Sequence, residues 1–252
     1  MKKIAIVTGA SSGMGRDFVL ELLKKKSIDE IWMIARRKER LFLMEAKCPT
    51  RLKALSLDLT EESSFQQLEK LLSKEPLEIE VLVNAAGMGR MGKVEAVPWQ
   101  EQGNLIDLNV KALTCMTHIC LPYMPKNSHI IQLCSGSAFL PQPGFASYAA
   151  SKSYVLSFSR ALRTELRKKG ISVTAVCPGP VNTEFFQAAG TDVHPAKKRF
   201  MSESKDVVKK AMKDADAGKE LSIYGTSMKM LHVFSKFIPT NIFLKITNQL
   251  LK

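Results

Sequence analysis

The chain has 252 residues, of which 45% are apolar and 24% are charged, so its composition is that of a globular protein and excludes a disordered one. Its 37 Lys and Arg residues exceed its 24 Asp and Glu residues and give a net charge of +13. Such a charge could attract anionic ligands, among them phosphates, acyl-thioester carriers or a lipid surface. A nucleic-acid partner is not expected, because the basic residues are dispersed and form no known binding module.

The five cysteines have no metal-ligand spacing, and three of them lie in apolar stretches, which indicates reduced thiols and no metal site. The amino-terminal apolar run ends at once in a glycine turn, so it predicts a first strand and not a signal peptide. No run approaches the roughly 18 apolar residues of a membrane span. We therefore expect a cytoplasmic protein.

Short apolar runs alternate with longer helical patterns along the whole chain. The predicted strands are Ile4–Thr8, Glu30–Ala35, Leu52–Leu57, Val81–Asn84, His129–Cys134, Ser172–Cys177 and Leu221–Tyr224. The predicted helices are Gly13–Lys26, Glu61–Ser73, Gln100–Leu121, Tyr148–Lys168 and Lys205–Ala217. This alternation predicts an α/β fold with a doubly wound parallel sheet of about seven strands and helices on both faces. We expect residues 1–252 to form a single domain.

A glycine-rich turn follows the first predicted strand and opens the first predicted helix. Glycine lets the backbone turn sharply and approach a pyrophosphate, which the free N–H groups of the helix amino end then bind. The position between strand and helix predicts a Rossmann-like dinucleotide site. Its candidate residues are Gly9, Ser11, Ser12, Gly13, Met14 and Gly15.

The end of the second predicted strand indicates which dinucleotide binds. About 20 residues past the turn, a site that prefers NAD normally has an Asp or Glu for the ribose hydroxyls. Here the residues are Ala35, Arg36 and Arg37, with no acid. Two guanidinium groups suit a 2′-phosphate, so the sequence predicts NADP(H) over NAD(H).

Tyr148 and Lys152 are four residues apart in a predicted helix, so both side chains lie on one face. An ammonium group near a phenol favours the phenolate and lowers its pKa. The tyrosine then becomes usable as a proton donor or acceptor. The pair predicts a general acid/base.

These motifs resemble the short-chain dehydrogenase/reductase family in its compact form, from residue 4 to about residue 225. They occur in the order of that family, and the ordered set is far more specific than any one motif. After the glycine turn they are Asp58, Asn84-Ala85-Ala86-Gly87, Asn109, Ser135, Tyr148 with Lys152, and Pro178-Gly179-Pro180-Val181-Asn182-Thr183.

The resemblance implies a role for four catalytic residues. Tyr148 would pass a proton to a carbonyl oxygen as hydride arrives from the nicotinamide, or take one in the reverse direction. Lys152 would lower the tyrosine pKa and hold the nicotinamide ribose, and Ser135 would hydrogen-bond the substrate oxygen. Ser135 is favoured over Ser137 because it lies 13 residues before Tyr148, as in the family. Asn109 resembles the asparagine that shapes a proton-relay water.

The resemblance also implies cofactor contacts at the ends of further strands. Asp58 and Leu59 would meet the adenine, and small residues after the fourth strand would let the backbone pass close to the cofactor. The motif after the sixth strand would wrap the nicotinamide. The implied contacts are Asp58, Leu59, Asn84, Ala85, Ala86, Gly87, Tyr148, Lys152, Pro178, Gly179, Val181 and Thr183.

Two segments depart from the motif pattern. Residues 184–204, with Phe185, Phe186, Phe200 and Met201, predict a lid whose apolar side chains either bind a hydrophobic substrate or pack the lid itself. Residues 226–252 predict a basic amphipathic extension, because no acidic residue occurs from Leu221 to Lys252. It could cover the pocket, join subunits or make peripheral contact with a membrane.

The sequence thus predicts an NADP-dependent oxidoreductase acting on the carbonyl or hydroxyl group of a small hydrophobic substrate, such as a steroid or a long-chain ketone. A 3-oxoacyl-carrier-protein reductase shares the whole catalytic set and is one alternative. A non-catalytic module that senses NADP(H) is an alternative of another class. The resemblance implies a homodimer or homotetramer.

Overall fold

A computed structural model of the protein describes residues 1–190 and 201–237 and the single positions 239, 241 and 244. The centre of the predicted lid, including Phe200, and most of the C-terminal extension beyond residue 237 lie outside the described residues. None of the helices in the described part of the chain has the length and apolarity that a membrane crossing requires.

Seven strands form a parallel sheet in the order β3-β2-β1-β4-β5-β6-β9, and β7 and β8 pair separately. This confirms the predicted doubly wound sheet. The strands are β1 (Lys2–Thr8), β2 (Glu30–Ala35), β3 (Leu52–Ser56), β4 (Leu77–Asn84), β5 (His129–Leu133), β6 (Ser172–Val176), β7 (Val181–Asn182), β8 (Ser202–Glu203) and β9 (Leu221–Ser222).

Helices pack on both faces of this sheet. They are α1 (Gly13–Leu22), α2 (Lys38–Glu45), α3 (Glu62–Leu72), α4 (Trp99–Ile106), α5 (Leu113–Cys120), α6 (Ala146–Leu166), α7 (Phe185–Ala188), α8 (Ser204–Asp216) and α9 (Thr226–Phe234). The sequence missed α2 because Leu41 is the one buried residue of that helix, so it has no apolar stripe. The predicted helix Gln100–Leu121 is α4 and α5 joined by a π-helical turn, Asp107–Ala112.

The side chains of β1 point alternately to the two faces of the sheet, and the core has one part on each face. Ile4 and Ile6 pack on one face of the sheet with side chains of α3, α5 and α6. Ala5 and Val7 pack on the other face with side chains of α1 and α8. Successive side chains of a strand point to opposite faces, so a parallel sheet covered on both sides needs apolar residues at every position. The continuous apolar strands of the sequence arise from this burial.

Candidate active site

A cleft of about 640 Å³ lies at the carboxyl ends of the strands. In the sheet, β1 is next to β4 on one side and to β2 on the other, so the crossovers diverge there. Such a switch point leaves a crevice between the two sets of connections, where ligands of open α/β sheets bind. Arg36 and Arg37 line the cleft, as do Tyr148 and Met228.

The glycine turn closes tightly against the end of β4. Gly9 has a φ of +68°, and a Cβ atom added to it would lie 2.8 Å from the main-chain oxygen of Ala85. A Cβ atom on Gly15 would lie 2.2 Å from the main-chain oxygen of Gly9. Both distances are shorter than carbon and oxygen permit, so these positions accept only glycine. The start of α1 is thereby held against the floor of the cleft.

Two arginine side chains line another part of the cleft. Arg37 donates hydrogen bonds through Nε to the hydroxyl of Ser11, at 3.1 Å, and through Nη2 to the hydroxyl of Ser12. Arg36 Nη1 lies 3.7 Å from Asp58 Oδ2. The predicted determinants of cofactor choice therefore lie together, beside the glycine turn and the end of β3.

Tyr148 is buried in an aromatic cluster in the first turn of α6. Its ring stacks on Phe145, with centroids 4.3 Å apart, and Phe185 of α7 lies against it with centroids 5.4 Å apart. Burial raises the pKa of the Tyr148 phenol above its ordinary value, and a hydrogen bond with Ser135 opposes that rise. The phenol is therefore protonated at neutral pH in the protein alone.

Lys152 is expected to lower the pKa of Tyr148, whereas in the protein alone burial raises that pKa. Lys152 Nζ lies 5.7 Å from the centre of the tyrosine ring and donates a hydrogen bond to the main-chain oxygen of Leu133, at 2.8 Å. The lysine is itself buried, and that burial lowers its own pKa to about 8. The hydrogen bond of Lys152 goes to Leu133 and not to the phenol, and desolvation of the phenol is the largest influence on the pKa of Tyr148.

Ser135 and Ser137 take different positions just after β5. Ser135 lines the cleft, and its hydroxyl accepts a hydrogen bond from the Ser137 main-chain N–H, at 3.1 Å. The hydroxyl of Ser137 instead donates to Gln142 Oε1, at 3.1 Å. Ser135 is the serine whose side chain acts on the pKa of Tyr148, which favours it over Ser137 as the partner of that residue.

Asn109 lies in the π-helical turn and is fully buried. Its Oδ1 accepts from the Met88 main-chain N–H, at 2.9 Å, and its Nδ2 donates to the Met88 main-chain oxygen, at 2.9 Å, and to Ser151 Oγ, at 3.0 Å. These bonds tie the segment after β4 to α6. The side-chain amide is thus bonded within the protein, and π turns are frequent at functional sites.

Asn84 differs from its predicted place at the cofactor. Its Nδ2 donates to Thr117 Oγ1, at 3.1 Å, and to Gln132 Oε1, at 3.0 Å, inside the core. The side chain therefore points away from the cleft, because the last residue of β4 alternates into the face that α5 covers. Asn84 is not among the residues that line the cleft, and its contact with the cofactor stays a prediction.

The other predicted cofactor residues all line the cleft. Further lining residues come from outside the predicted cofactor contacts, namely Glu184 from the start of the predicted lid and Met228 and Leu231 from α9. Helix α9 is the described part of the predicted C-terminal extension, so this part contributes to the cleft wall. The predicted residues along the cleft are Gly9, Ser11, Ser12, Gly13, Met14, Gly15, Arg36, Arg37, Asp58, Leu59, Ala85, Ala86, Gly87, Ser135, Tyr148, Lys152, Pro178, Gly179, Val181 and Thr183.

Comparisons with known proteins agree with this architecture. Residues 3–194 match the family model of the short chain dehydrogenases. An uncharacterized oxidoreductase of Staphylococcus epidermidis is 32% identical over 199 residues, which are 78% of this chain and 85% of that protein. The 17-beta-hydroxysteroid dehydrogenase type 3 of Rattus norvegicus is 28% identical over an alignment of 257 positions, which covers 99% of this chain and 80% of that protein.

A solved structure of a short-chain dehydrogenase from Sphingobium yanoikuyae in complex with NADPH matches with a TM-score of 0.80 and 26% identity, over 94% of this chain and 93% of that one. The fold, the cleft and these matches define an oxidoreductase acting on alcohol or carbonyl groups. The chain belongs to the short chain dehydrogenase family.

Proposed function

We propose that the protein transfers hydride between NADP(H) and the carbonyl or hydroxyl group of a small hydrophobic substrate, with Tyr148 as the general acid or base. One observation carries this proposal. Ser135, Tyr148 and Lys152 line the same cleft as the glycine turn and the arginines. A dinucleotide lying in that cleft would reach from the arginines to the tyrosine.

The residues present fit such a cofactor. The glycine turn and the amino end of α1 both line the cleft, which suits a pyrophosphate. Arg37 with the two serine hydroxyls suits the 2′-phosphate of NADP(H). When bound, the nicotinamide supplies or accepts the hydride.

The chain's own residues handle the proton and the substrate oxygen. Burial keeps Tyr148 protonated, so the phenol can donate to a carbonyl oxygen during reduction. Ser135 can donate a second hydrogen bond to the same oxygen, where negative charge develops. Lys152, near Gly87 and buried below the tyrosine, can hold a ribose hydroxyl and return the proton to Tyr148.

The substrate end of the cleft is apolar, which supports a hydrophobic substrate. Two aromatic rings flank Tyr148, and methionines from several segments continue this wall. A mostly apolar pocket with a few polar groups favours a ligand of the same kind. The apolar lining residues there are Met88, Met91, Phe145, Phe185, Phe186, Met228 and Leu231.

Two alternative functions would use the same cleft. A 3-oxoacyl-carrier-protein reductase would use the same Ser135, Tyr148 and Lys152, and the net charge of +13 would suit an acidic carrier. A module that only senses NADP(H) would bind the cofactor without turnover. The bulky apolar wall favours the first proposal over the carrier-protein enzyme, and the complete catalytic set favours an enzyme over a sensor.

The test is oxidation of NADPH, and of NADH, with a panel of steroids, long-chain ketones, small diketones and acetoacetyl thioesters. We expect Tyr148→Phe to lower kcat by about 100-fold or more, the usual contribution of a positioned general acid, with cofactor affinity unchanged. Tyr154→Phe is a matched control, since Tyr154 lies on the same helix, half-exposed, and its hydroxyl contacts Thr114. Tight NADPH binding without turnover on any carbonyl would instead support the sensor.

We further propose a homo-oligomer that forms through α4 and α6. Trp99 and Ile106 of α4 and Tyr154 of α6 are large apolar side chains that stand exposed, and exposed apolar patches mark interaction sites. The predicted membrane contact of the C-terminal extension is a separate proposal, supported by the exposure of Met230, Phe234 and Phe237. Equal partitioning onto anionic vesicles by the wild type and by a double variant, Phe234→Glu with Phe237→Glu, would contradict the membrane contact.

A further inference from the structure

The carboxylate of Glu184 reaches across the mouth of the cleft and bridges two arginines. Its Oε2 accepts a hydrogen bond from Arg37 Nη1, at 2.7 Å, and its Oε1 accepts one from Arg40 Nη1, at 2.6 Å. These partners lie 147 and 144 residues away in the sequence. Both hydrogen bonds hold the pKa of Glu184 below its usual range. The residue is therefore an anion at neutral pH, held by two cations.

The surroundings of this carboxylate form an anion site. Arg37 and Arg40 are three residues apart at the start of α2, so they present their side chains on one side. Arg37 also bonds the hydroxyls of Ser11 and Ser12, which brings two more donors to the same place. Arg36 is not part of the group, since it turns toward Asp58. The proposed 2′-phosphate would need these same donors.

Glu184 is thus positioned as an internal competitor for the phosphate. Its two ion pairs are half-exposed, with side-chain exposures of 43% for Arg37, 46% for Arg40 and 48% for Glu184. Pairs of this kind contribute little net stability in water, so a ligand can exchange for the carboxylate. A phosphate carries more negative charge and offers more acceptor oxygens than a carboxylate, which favours that exchange.

The next residue connects this ion pair to the catalytic tyrosine. Phe185 begins α7 directly after Glu184, and its ring lies against Tyr148. The Phe185 ring also reaches the segment after β4, where its Cζ would stand 2.7 Å from a Cβ atom added to Gly89. The ring therefore lines the cleft next to Tyr148 and takes up space there that a substrate would use.

We propose that Glu184 is a displaceable latch, and that a 2′-phosphate bound by Arg37, Arg40, Ser11 and Ser12 releases it and uncovers Tyr148. The inference rests on the proposed function for the identity of the cofactor. It assigns Arg40 to the phosphate site and makes Glu184 a determinant of cofactor preference. It also makes cofactor binding precede substrate binding, because only the phosphorylated cofactor opens the site.

The first test measures binding by titration calorimetry with two fragments, 2′,5′-ADP and 5′-AMP, which differ in the 2′-phosphate. We expect Glu184→Gln to raise the affinity for 2′,5′-ADP about fivefold, a change of the size expected when a half-exposed ion pair stops competing. The affinity for 5′-AMP should be unchanged. Glu220→Gln is the matched control, since Glu220 forms a similar exposed ion pair with Arg160, at 2.7 Å. An unchanged affinity of Glu184→Gln for 2′,5′-ADP, or an equal change in affinity for both fragments, would contradict the proposal that Glu184 is a displaceable latch.

The assignment of Arg40 is tested in the Glu184→Gln background, where loss of the latch no longer contributes. There Arg40→Ala is expected to lower the affinity for 2′,5′-ADP about tenfold, as loss of one charge-assisted contact implies, and to leave the affinity for 5′-AMP unchanged. No effect on 2′,5′-ADP would remove Arg40 from the site.

The second test follows the ring of Phe185 by ¹⁹F NMR in protein labelled with 4-fluorophenylalanine, its signal identified by its loss in Phe185→Leu. We expect 2′,5′-ADP to shift this signal in the wild type and 5′-AMP to leave it in place. In Glu184→Gln the signal should already lie near its shifted position. If 2′,5′-ADP did not shift this signal in the wild type, the proposed coupling between Glu184 and Phe185 would be contradicted. Neither test uses turnover, so failure of the proposed oxidoreductase activity would be seen separately in the carbonyl panel.

Discussion

Lys152 Nζ donates its hydrogen bond to the main-chain oxygen of Leu133, at 2.8 Å, and so joins helix α6 to the end of strand β5. The bond fixes the ammonium group beneath the cleft, close to where a Cβ atom on Gly87 would lie. It also keeps the lysine out of water, with 3% of the residue exposed. This arrangement sets the acid–base behaviour of the site before any ligand binds.

The burial of Lys152 should cost stability in a way that depends on pH. Its pKa is about 8 in the folded protein against 10.5 ordinarily, so between these values the unfolded chain binds more protons and stability rises with pH. We expect Lys152→Met to raise the free energy of unfolding by about 2 kcal/mol at pH 7, after about 1 kcal/mol is lost with the Leu133 hydrogen bond. The gain should shrink as the pH rises from 8 toward 10.5. Urea unfolding at pH 7 and 9.5 measures both.

The control for that experiment is Lys111→Met, since Lys111 is exposed and lies 4.0 Å from Asp107. It should change the free energy of unfolding little at either pH. If Lys152→Met lowered stability equally at both pH values, the burial of Lys152 would not be the cause of its altered pKa.

Gly9 should be far less replaceable than a glycine of similar backbone conformation elsewhere. Gly218 has a φ of +64° and no atom of the described residues within 4 Å of an added Cβ, whereas Gly9 has a φ of +68° and meets the backbone of Ala85. Gly218→Ala should cost about 1 kcal/mol, the strain of a left-handed alanine. Gly9→Ala should cost about 3 kcal/mol or more, because backbone must also move. If thermal unfolding showed that both variants lose the same free energy of unfolding, backbone strain alone would account for the cost at Gly9.

Asn84 should stabilise the fold without contributing its side chain to cofactor binding. Asn84→Ala removes hydrogen bonds to Thr117 and Gln132 in the core, so we expect a loss of about 2 kcal/mol in the free energy of unfolding. The affinity for 2′,5′-ADP, measured by calorimetry below the unfolding temperature, should be unchanged. A selective loss of cofactor affinity with normal stability would return Asn84 to the site.

The exposed apolar surface of α4 and α6 should mediate self-association. We expect Ile106→Glu to lower the mass of the wild-type oligomer in size-exclusion chromatography with light scattering, because a charge buried in an apolar interface is costly. Leu43→Glu is the control, since Leu43 of α2 is also exposed, at 68%, but lies on another part of the surface. A monomeric wild type, or an equal effect of both variants, would contradict this interface.

Local patterns were sufficient to predict the seven strands of the sheet, most of the long helices and most of the cleft residues. Continuous apolar runs such as β1 follow from burial on both faces, and the glycine turn follows from a backbone constraint that lies within a few residues. Because all parallel strands end at one edge of the sheet, residues after those strands were also expected to meet there. Helix α2 escaped prediction since almost all of it is exposed.

The sequence by itself determined the family resemblance, the parallel α/β fold and the identity of Ser135, Tyr148 and Lys152 as candidates. Only the tertiary structure decided where the side chains of Asn84 and Lys152 point and what surrounds Tyr148. Only the tertiary structure showed that Glu184 forms ion pairs with Arg37 and Arg40, which lie at the start of α2, a helix that the sequence did not predict. The physical reason is that hydrogen bonds, desolvation and ion pairs depend on distances between atoms that are remote along the chain, and periodicity and spacing carry no record of those distances.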